Sequence, residues 1–346
     1  MTSDPVARFI RDRSLRQGGR QRLRPLRRGE AIDLAARVFR TLGWPFLRLS
    51  FVPALLCTAA IGFVLQYALP GLYQTTHPND WFAQVLDTGM ALAIATLVGG
   101  PLYLIGVASV TAGVASLTSD YMLGNVPDEE SALGVMARKL GALVRLSIRE
   151  AVISLWGVFV ALGLFVASSV LDHLNVSGPW SGLTVGVAIM GIALGGVVFL
   201  VVRSNHALAP VALVLENLGP RAAAKRSSFL VNRAVGIGNV QSSVVELALA
   251  CLLVLVLVSG GLYLAESIFD LSDHWRSIVS GFPLPGIWIA AFDWLKWFLS
   301  LWVILPLWAT GATLIYYDRR VQLEGYDVDC LAQEVWRTDG KARFQL

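Results

Sequence analysis

The 346-residue chain is 55% hydrophobic and only 15% charged, with a mean hydropathy of +0.62 and a formal net charge of +4. That balance excludes a soluble enzyme, a disordered chain and a disulfide-stapled secreted domain, and it indicates a polytopic membrane protein. A span of the ~30 Å hydrocarbon layer needs roughly 20 apolar residues, so six spans would consume about 120 and leave only loops and short tails.

In chain order, residues 1–30 read as an Arg-rich cytoplasmic tail, expected to be disordered, with nine arginines between Arg8 and Arg28 and a single interleaved acid, Asp12. Arg20, Arg22, Arg24, Arg27 and Arg28 lie nearest the membrane, where each charge is worth ~1 kcal/mol of attraction to anionic lipid. The plainer reading is that the cluster only fixes topology. Nucleic acid is not expected as a partner, because Phe9 is the one aromatic ring in the tail that could stack on a base. No apolar core with a small-residue cleavage site is visible in the first 40 residues, and Asp4, Asp12, Glu30 and Asp33 argue against a mitochondrial presequence.

Residues 31–320 form the expected all-α membrane domain, followed by a short cytoplasmic tail over 321–346. Six uncharged runs reach spanning length: Leu49–Leu69, Met90–Leu117, Ala151–Leu171, Gly182–Val202, Leu247–Ala265 and Trp297–Tyr317. The second is overlong and carries Gly99-Gly100-Pro101, which suggests a kink or tilt. The fourth has two Gly-x-x-x-Gly pairs, Gly182/Gly186 and Gly191/Gly195, suited to close helix packing. Beyond Arg203 an apolar piece, Ala207–Leu215, is interrupted by Pro210 and reads as re-entrant or interfacial. Of 28 Lys and Arg residues, only Arg276 and Lys296 fall on the opposite side, which places both termini in the cytoplasm.

Each odd-numbered span follows a segment of helical period with a basic stripe: Asp33, Arg37, Arg40 and Arg48; Arg138, Arg145 and Arg149; Arg221, Lys225, Ser228 and Asn232. These predict interfacial amphipathic helices, and hence three units of interfacial helix plus helical hairpin.

Glu246 sits at the inner boundary of the fifth span, followed by 19 uncharged residues, with Arg226 or Arg233 as expected partners. Glu216 and His206 flank Pro210 as polar groups at helix ends. On the outer side, His77, His173 and His274 occur one per loop beside Asp80, Asp172 and Asp273. Imidazoles with carboxylates would suit Zn²⁺ if the loops converged, but no local metal spacing is present and solvated loops are the simpler reading. Asn175-Val176-Ser177 fits a glycosylation acceptor, and the stretch Trp275–Trp297 resembles an interfacial aromatic belt. Cys57 and Cys251 lie in apolar runs and only Cys330 in a polar tail, so no disulfide framework is expected. There is no nucleophile elbow, P-loop, His-Glu-x-x-His or Cys-x-x-Cys, and no cofactor is expected.

Three stretches carry a resemblance. They are Leu208–Glu216 running on through Gly219-Pro220 to Ala224-Lys225-Arg226-Ser227; Thr313–Arg320 followed by Glu324-Gly325-Tyr326-Asp327; and Ser119–Gly124, read as a loop ahead of a charged helix. The chain from about residue 30 to 335 resembles the membrane domain found with glycerophosphoryl diester phosphodiesterases. On that resemblance Pro210, Glu216, Gly219, Lys225, Arg226, Ser227, Tyr317, Asp318, Arg320, Glu324, Gly325 and Asp327 are its motif residues. Asn217 stands where that family often has glycine. The family's catalytic barrel uses a His-Arg pair, and no His-Arg dipeptide occurs here, so the resemblance implies the membrane module without the hydrolase.

The expected function is therefore a non-enzymatic module of the cytoplasmic membrane that organises anionic lipid or recruits a membrane or cytoplasmic protein. Lipid contacts fall to Arg20, Arg22, Arg24, Arg27, Arg28, Arg37, Arg138, Arg145, Arg149, Lys225 and Arg226. A small transporter or channel built on the hairpins and Glu246, and an outer-face lipid-processing enzyme using the His/Asp loops, are the alternatives.

Overall fold

The computed structural model describes residues 29–63, 98–173, 204–233, 240–281 and 285–328, together with Pro25, Met190 and residues 201–202. Among these residues the fold is all helical, without a strand, and four helices are long and apolar enough to cross a membrane. Those four coincide with the expected first, second, fifth and sixth spans. The expected third span falls in the second half of a long helix, and the fourth lies outside the described residues apart from Met190, Val201 and Val202.

Helix α1 (Glu30–Phe63) opens with Glu30 and Asp33, which suit the positive end of its dipole. Leu42 leaves the helical region at φ −110°, ψ 16°. The cause is Pro45, whose ring displaces the carbonyl four residues back and removes one helical hydrogen bond. The basic segment and the first span are thus one helix divided by a kink.

Helix α2 (Gly100–Met122) carries Pro101 in its first turn, where a missing N–H costs nothing. Ser119–Met122, expected to be a loop, is the last turn of this helix. Gly124, at φ +74°, ends it: its N–H and that of Asn125 reach back to the carbonyls of Tyr121 (3.3 Å) and Asp120 (2.8 Å), a Schellman closure.

Helix α3 (Glu129–His173) is capped by Asp128, whose carboxylate accepts from the N–H groups of Glu130 and Ser131. Its 45 residues span ~67 Å at 1.5 Å per residue, about twice the hydrocarbon thickness. The charged first half was expected as a separate interfacial helix. It instead continues directly into the apolar half and packs lengthwise against α2, with Leu143 and Leu146 buried and Ser147 donating to the Leu104 carbonyl at 3.3 Å. A protein neighbour satisfies its apolar stripe as well as a lipid surface would.

The piece around Pro210 becomes α4 (Ala209–Leu215), with Leu208, Ala209, Val211, Ala212 and Leu213 fully buried. Gly219 in extended conformation and Pro220 in the first turn launch α5 (Pro220–Asn232), the one expected interfacial helix that stands apart. Helix α6 (Val240–Phe269) and the short α7 (Leu271–Val279) lead to α8 (Pro285–Glu324), which continues past residue 320 so that Val321 is also buried.

Helix α8 is the centre of the bundle. One apolar cluster joins it to α1 and α2, a second to α4, α5 and α6, and a third joins α2, α3, α4 and α5. Only 11% of the apolar window of α6 is buried, against 72% for α2 and α8, so α6 is the least enclosed of the four long apolar helices. Pro306 strips the Trp302 carbonyl of its helical donor, and the Ser50 hydroxyl of α1 lies 3.5 Å from that oxygen, its one hydrogen shared with its own-helix Leu47 carbonyl at 3.3 Å. The Trp302 indole N–H returns the link by donating to the Leu47 carbonyl at 2.6 Å.

Close approach of α1 and α2 depends on Gly106. A Cβ there would meet Cys57 Sγ at 2.5 Å and the Pro53 carbonyl at 2.8 Å, and the carbonyl is backbone. Gly106→Ala should lower the unfolding midpoint in detergent, with an overpacking cost of about 1–3 kcal/mol. Gly141→Ala, which faces open space, should leave the midpoint unchanged or slightly raised; equal midpoints for the two variants would refute the close approach.

Candidate functional site

Two turns and two helices converge on one charge network. Glu216 ends α4, and Asn217 then adopts φ +55°, a left-handed conformation in which asparagine is the best-tolerated substitute for glycine. That turn reverses the chain into α5, which presents Arg226 to Glu216. The last turns of α8 bring Tyr316, Arg320 and Glu324 to the same place.

Arg226 is the hub. Its Nε and Nη2 each lie 2.9 Å from Glu216 Oε1, while Nη1 and Nη2 reach Glu324 Oε1 and Oε2 at 2.5 and 2.7 Å. The Glu324 contact is the parallel, two-bond geometry that a planar guanidinium makes with a carboxylate. Arg320 Nε donates to Glu324 Oε2 at 3.2 Å and lies 3.8 Å from Glu216. The Tyr316 hydroxyl donates to Glu216 Oε1 at 2.5 Å, and the Arg320 guanidinium sits 3.8 Å over the Tyr326 ring. Burial alone would lower the Arg226 pKa, but hydrogen bonds to Glu324 and Glu216 outweigh it and hold the guanidinium charged well above its ordinary value.

Two carboxylates thus balance two guanidiniums, with the four side chains between 18% and 27% exposed. Each carboxylate is engaged by cations, and none is left as a free base beside a nucleophile. Chemically the arrangement is a latch that fixes the α4–α5 turn on the end of α8.

The three stretches behind the family resemblance meet here. Ser227 is fully buried and pins the start of α4, accepting from the Leu208 N–H at 3.2 Å and donating to the Asn205 carbonyl at 2.7 Å. Tyr317 OH and Ser119 Oγ are 2.7 Å apart, which ties in the end of α2. Asp318 accepts both Gln322 amide contacts at 2.8 and 2.9 Å. Gly325, at φ +64°, turns the chain out of α8 into the short helical turn that holds Tyr326 and Asp327. Pro210 sits in the first turn of α4 and Gly219 precedes α5.

Among the residues assigned to lipid, the structure makes a division. Arg37, Arg138, Arg145 and Lys225 are exposed, and Arg145 donates to the Gly141 carbonyl at 3.3 Å. Arg226 is committed to the latch, one residue from Lys225 but turned about 100° around the helix. Arg149 is half-buried, with Nη1 enclosed and without a hydrogen-bond partner among the described residues. Arg20, Arg22, Arg24, Arg27 and Arg28 lie outside the described residues.

Of the other candidates, His206 is a helix-end polar group whose Nδ1 lies 2.8 Å from the Val202 carbonyl. Glu246 is partly exposed and has no ion-pair partner among the described residues; Arg226 is taken by the latch, and Arg233 lies 5.1 Å over the Phe229 ring. His274 is exposed on α7, its Nδ1 3.2 Å from the Asp270 carbonyl. His77 and the His173 side chain lie outside the described residues, and no group of three or more metal-ligating side chains occurs among those described.

One feature was missed at the far end of the bundle. Lys296, counted from the sequence as an outer-side charge, is 7% exposed and bridges α6 to α8 through Glu266 at 2.6 Å and its own-helix Asp293 at 2.7 Å. The Tyr263 and Phe292 rings face its ammonium at 4.6 and 5.2 Å. An acid at i−3 is the one local signal that could have flagged it.

Replacing Glu216 or Arg226 by glutamine should each cost about 1–3 kcal/mol, because the partner left behind keeps part of its desolvation penalty. The double variant should cost clearly less than the sum, giving a coupling of about 1 kcal/mol or more in a double-mutant cycle; strict additivity would show that the pair does not act as one unit. No family model, curated protein or solved structure matches the chain.

Proposed function

We propose that the chain is a non-enzymatic membrane module, resembling the membrane domain associated with glycerophosphoryl diester phosphodiesterases, that gathers anionic lipid at the cytoplasmic face of the cell inner membrane. In this reading the chain crosses six times as three hairpins, with both termini in the cytoplasm. Support for the crossings comes from the four long apolar helices, from the uncharged run inside the second half of α3, and from the Gly-rich run over 182–202. Orientation follows the placement of 26 of the 28 cations on one side.

The observation that carries the lipid reading is the exposed face of α1. Arg37, Arg40 and Arg48 project from it around Trp44, which is 66% exposed, and Phe51, Val52, Leu55 and Leu56 continue it as an exposed apolar surface. Arg37 and Arg40 have no carboxylate partner among the described residues, and Arg48 pairs with Glu129 at 3.2 Å. Cations grouped around an indole and followed by apolar side chains is the order in which a helix meets headgroups, the interface and acyl chains. Arg138 and Arg145 add two further exposed charges on α3.

Native mass spectrometry of protein released from mixed bilayers should find phosphatidylglycerol retained in preference to phosphatidylethanolamine. Deleting residues 1–28, or combining Arg37→Gln with Arg40→Gln, should weaken that preference. Indifference of the wild-type protein to headgroup charge would overturn the lipid reading. Independently, reporter fusions after residue 175 and after residue 276 should be active only outside the cytoplasm, and a fusion at residue 346 only inside; any other pattern removes the six-span topology.

A further inference from the structure

We propose that α5 lies on the bilayer surface and takes anionic phospholipid headgroups along one outward stripe, formed by Arg221, Lys225, Phe229 and Arg233. The inference rests on the anionic-lipid reading above and deepens it by assigning headgroup contact to one face of this helix. Arg221, Lys225 and Phe229 recur every fourth position and follow one side of the helix over about 12 Å, and Arg233 continues the row as the extended residue that closes it. All four are exposed, whereas Ala223, Ala224, Ser227, Leu230 and Val231 are buried on the opposite side.

Charge complementarity selects the occupant. No acid occurs between Pro220 and Arg233, and the carboxylates that the structure brings to α5 among the described residues, Glu216 and Glu324, are balanced by Arg226 and Arg320. Lys139 adds a further cation beside the start of α5, where it donates to the Asn217 side chain. Among the described residues the stripe therefore meets its surroundings as a row of cations without carboxylate partners, which is the electrostatic partner of a headgroup layer rich in phosphodiester anions. Phe229 is 40% exposed in the middle of that row, with the Arg233 guanidinium 5.1 Å over its ring. An aromatic ring among basic residues fits the headgroup boundary, where the ring enters the acyl edge and the cations stay with phosphate.

The same helix carries Arg226 on its inner flank, so whatever holds α5 from outside also holds the latch closed. Lipid that binds only the folded arrangement stabilises it by mass action. Anionic lipid is therefore a ligand that tightens the α4–α5 segment onto α8.

The test uses full-length protein in nanodiscs of phosphatidylcholine with and without phosphatidylglycerol. In the anionic nanodiscs, backbone amides over residues 220–233 should exchange more slowly and the unfolding midpoint should rise. The triple variant Arg221→Gln/Lys225→Gln/Arg233→Gln should lose both effects and retain about tenfold less phosphatidylglycerol, since each charge at the surface contributes to attraction. Its midpoint in phosphatidylcholine alone should match wild type, which separates lost lipid from lost folding. If wild type retains phosphatidylglycerol and the triple variant retains as much, the α5 assignment falls while the broader lipid reading stands. Should wild type show no anionic preference, both fall. Protection of residues 220–233 by an acidic peptide in phosphatidylcholine nanodiscs, with no response to phosphatidylglycerol, would give the stripe to a protein partner and overturn the assignment.

Discussion

Arg226 is bound by carboxylates from two parts of the chain, Glu216 ten residues upstream and Glu324 ninety-eight residues downstream. Apolar packing alone would hold α4 and α5 against α8, but contacts such as Val211, Leu230 and Ile315 are non-directional and tolerate sliding. A two-bond pairing of guanidinium and carboxylate does not slide, because moving by one residue breaks both bonds. The latch thus converts a greasy contact into a fixed register. Everything the α5 segment presents outward, including Lys225 and Phe229, is aimed by that pairing.

A second constraint comes from the bilayer, where backbone groups find no water. Proline within a helix leaves a carbonyl without its donor, and α8 answers at Pro306 by presenting the Trp302 carbonyl to Ser50 of α1. Bundle packing and backbone satisfaction are the same event at this crossing. The Lys296–Glu266 bridge at the opposite end has a parallel role, since it joins the sparsely packed α6 to α8 where few apolar contacts do. The two ion networks therefore clamp α8 to its neighbours near its two ends, with apolar clusters between them.

Four spans were legible because twenty uncharged residues in a row have few alternatives. The start of α5 was legible too, since Gly219-Pro220 followed by an alternating basic and apolar pattern signals a helix of its own. What the pattern left open was the neighbour. The amphipathic stripe over residues 132–150 is equally satisfied by lipid headgroups or by α2, and periodicity cannot choose between them. Ser119–Gly124 read as a loop ahead of a charged helix, although Gly124 is the stop signal of a helix already in progress. The latch residues stood out individually as motif positions, yet their pairing depends on a crossing of α5 and α8 that one-dimensional spacing does not encode. Lys296 was hidden for the opposite reason, since a single lysine at the edge of an apolar run is most simply a topology marker.

Counting cations and locating free cations answer different questions. Orientation in the membrane depends on the total Lys and Arg content of each flank, so Arg226 and Arg320 contribute to it even though carboxylates neutralise them in the folded protein. Attraction to anionic lipid depends on field outside the protein, and a guanidinium balanced by two carboxylates produces little. Adjacent residues such as Lys225 and Arg226 consequently divide the work: one holds the helix in place and the other faces outward. Among the described residues, lipid selectivity must therefore rest on the cations that the fold leaves without a carboxylate partner, on α1, on α3 and along α5, and the basic excess read from composition overstates it by the number committed to the interior.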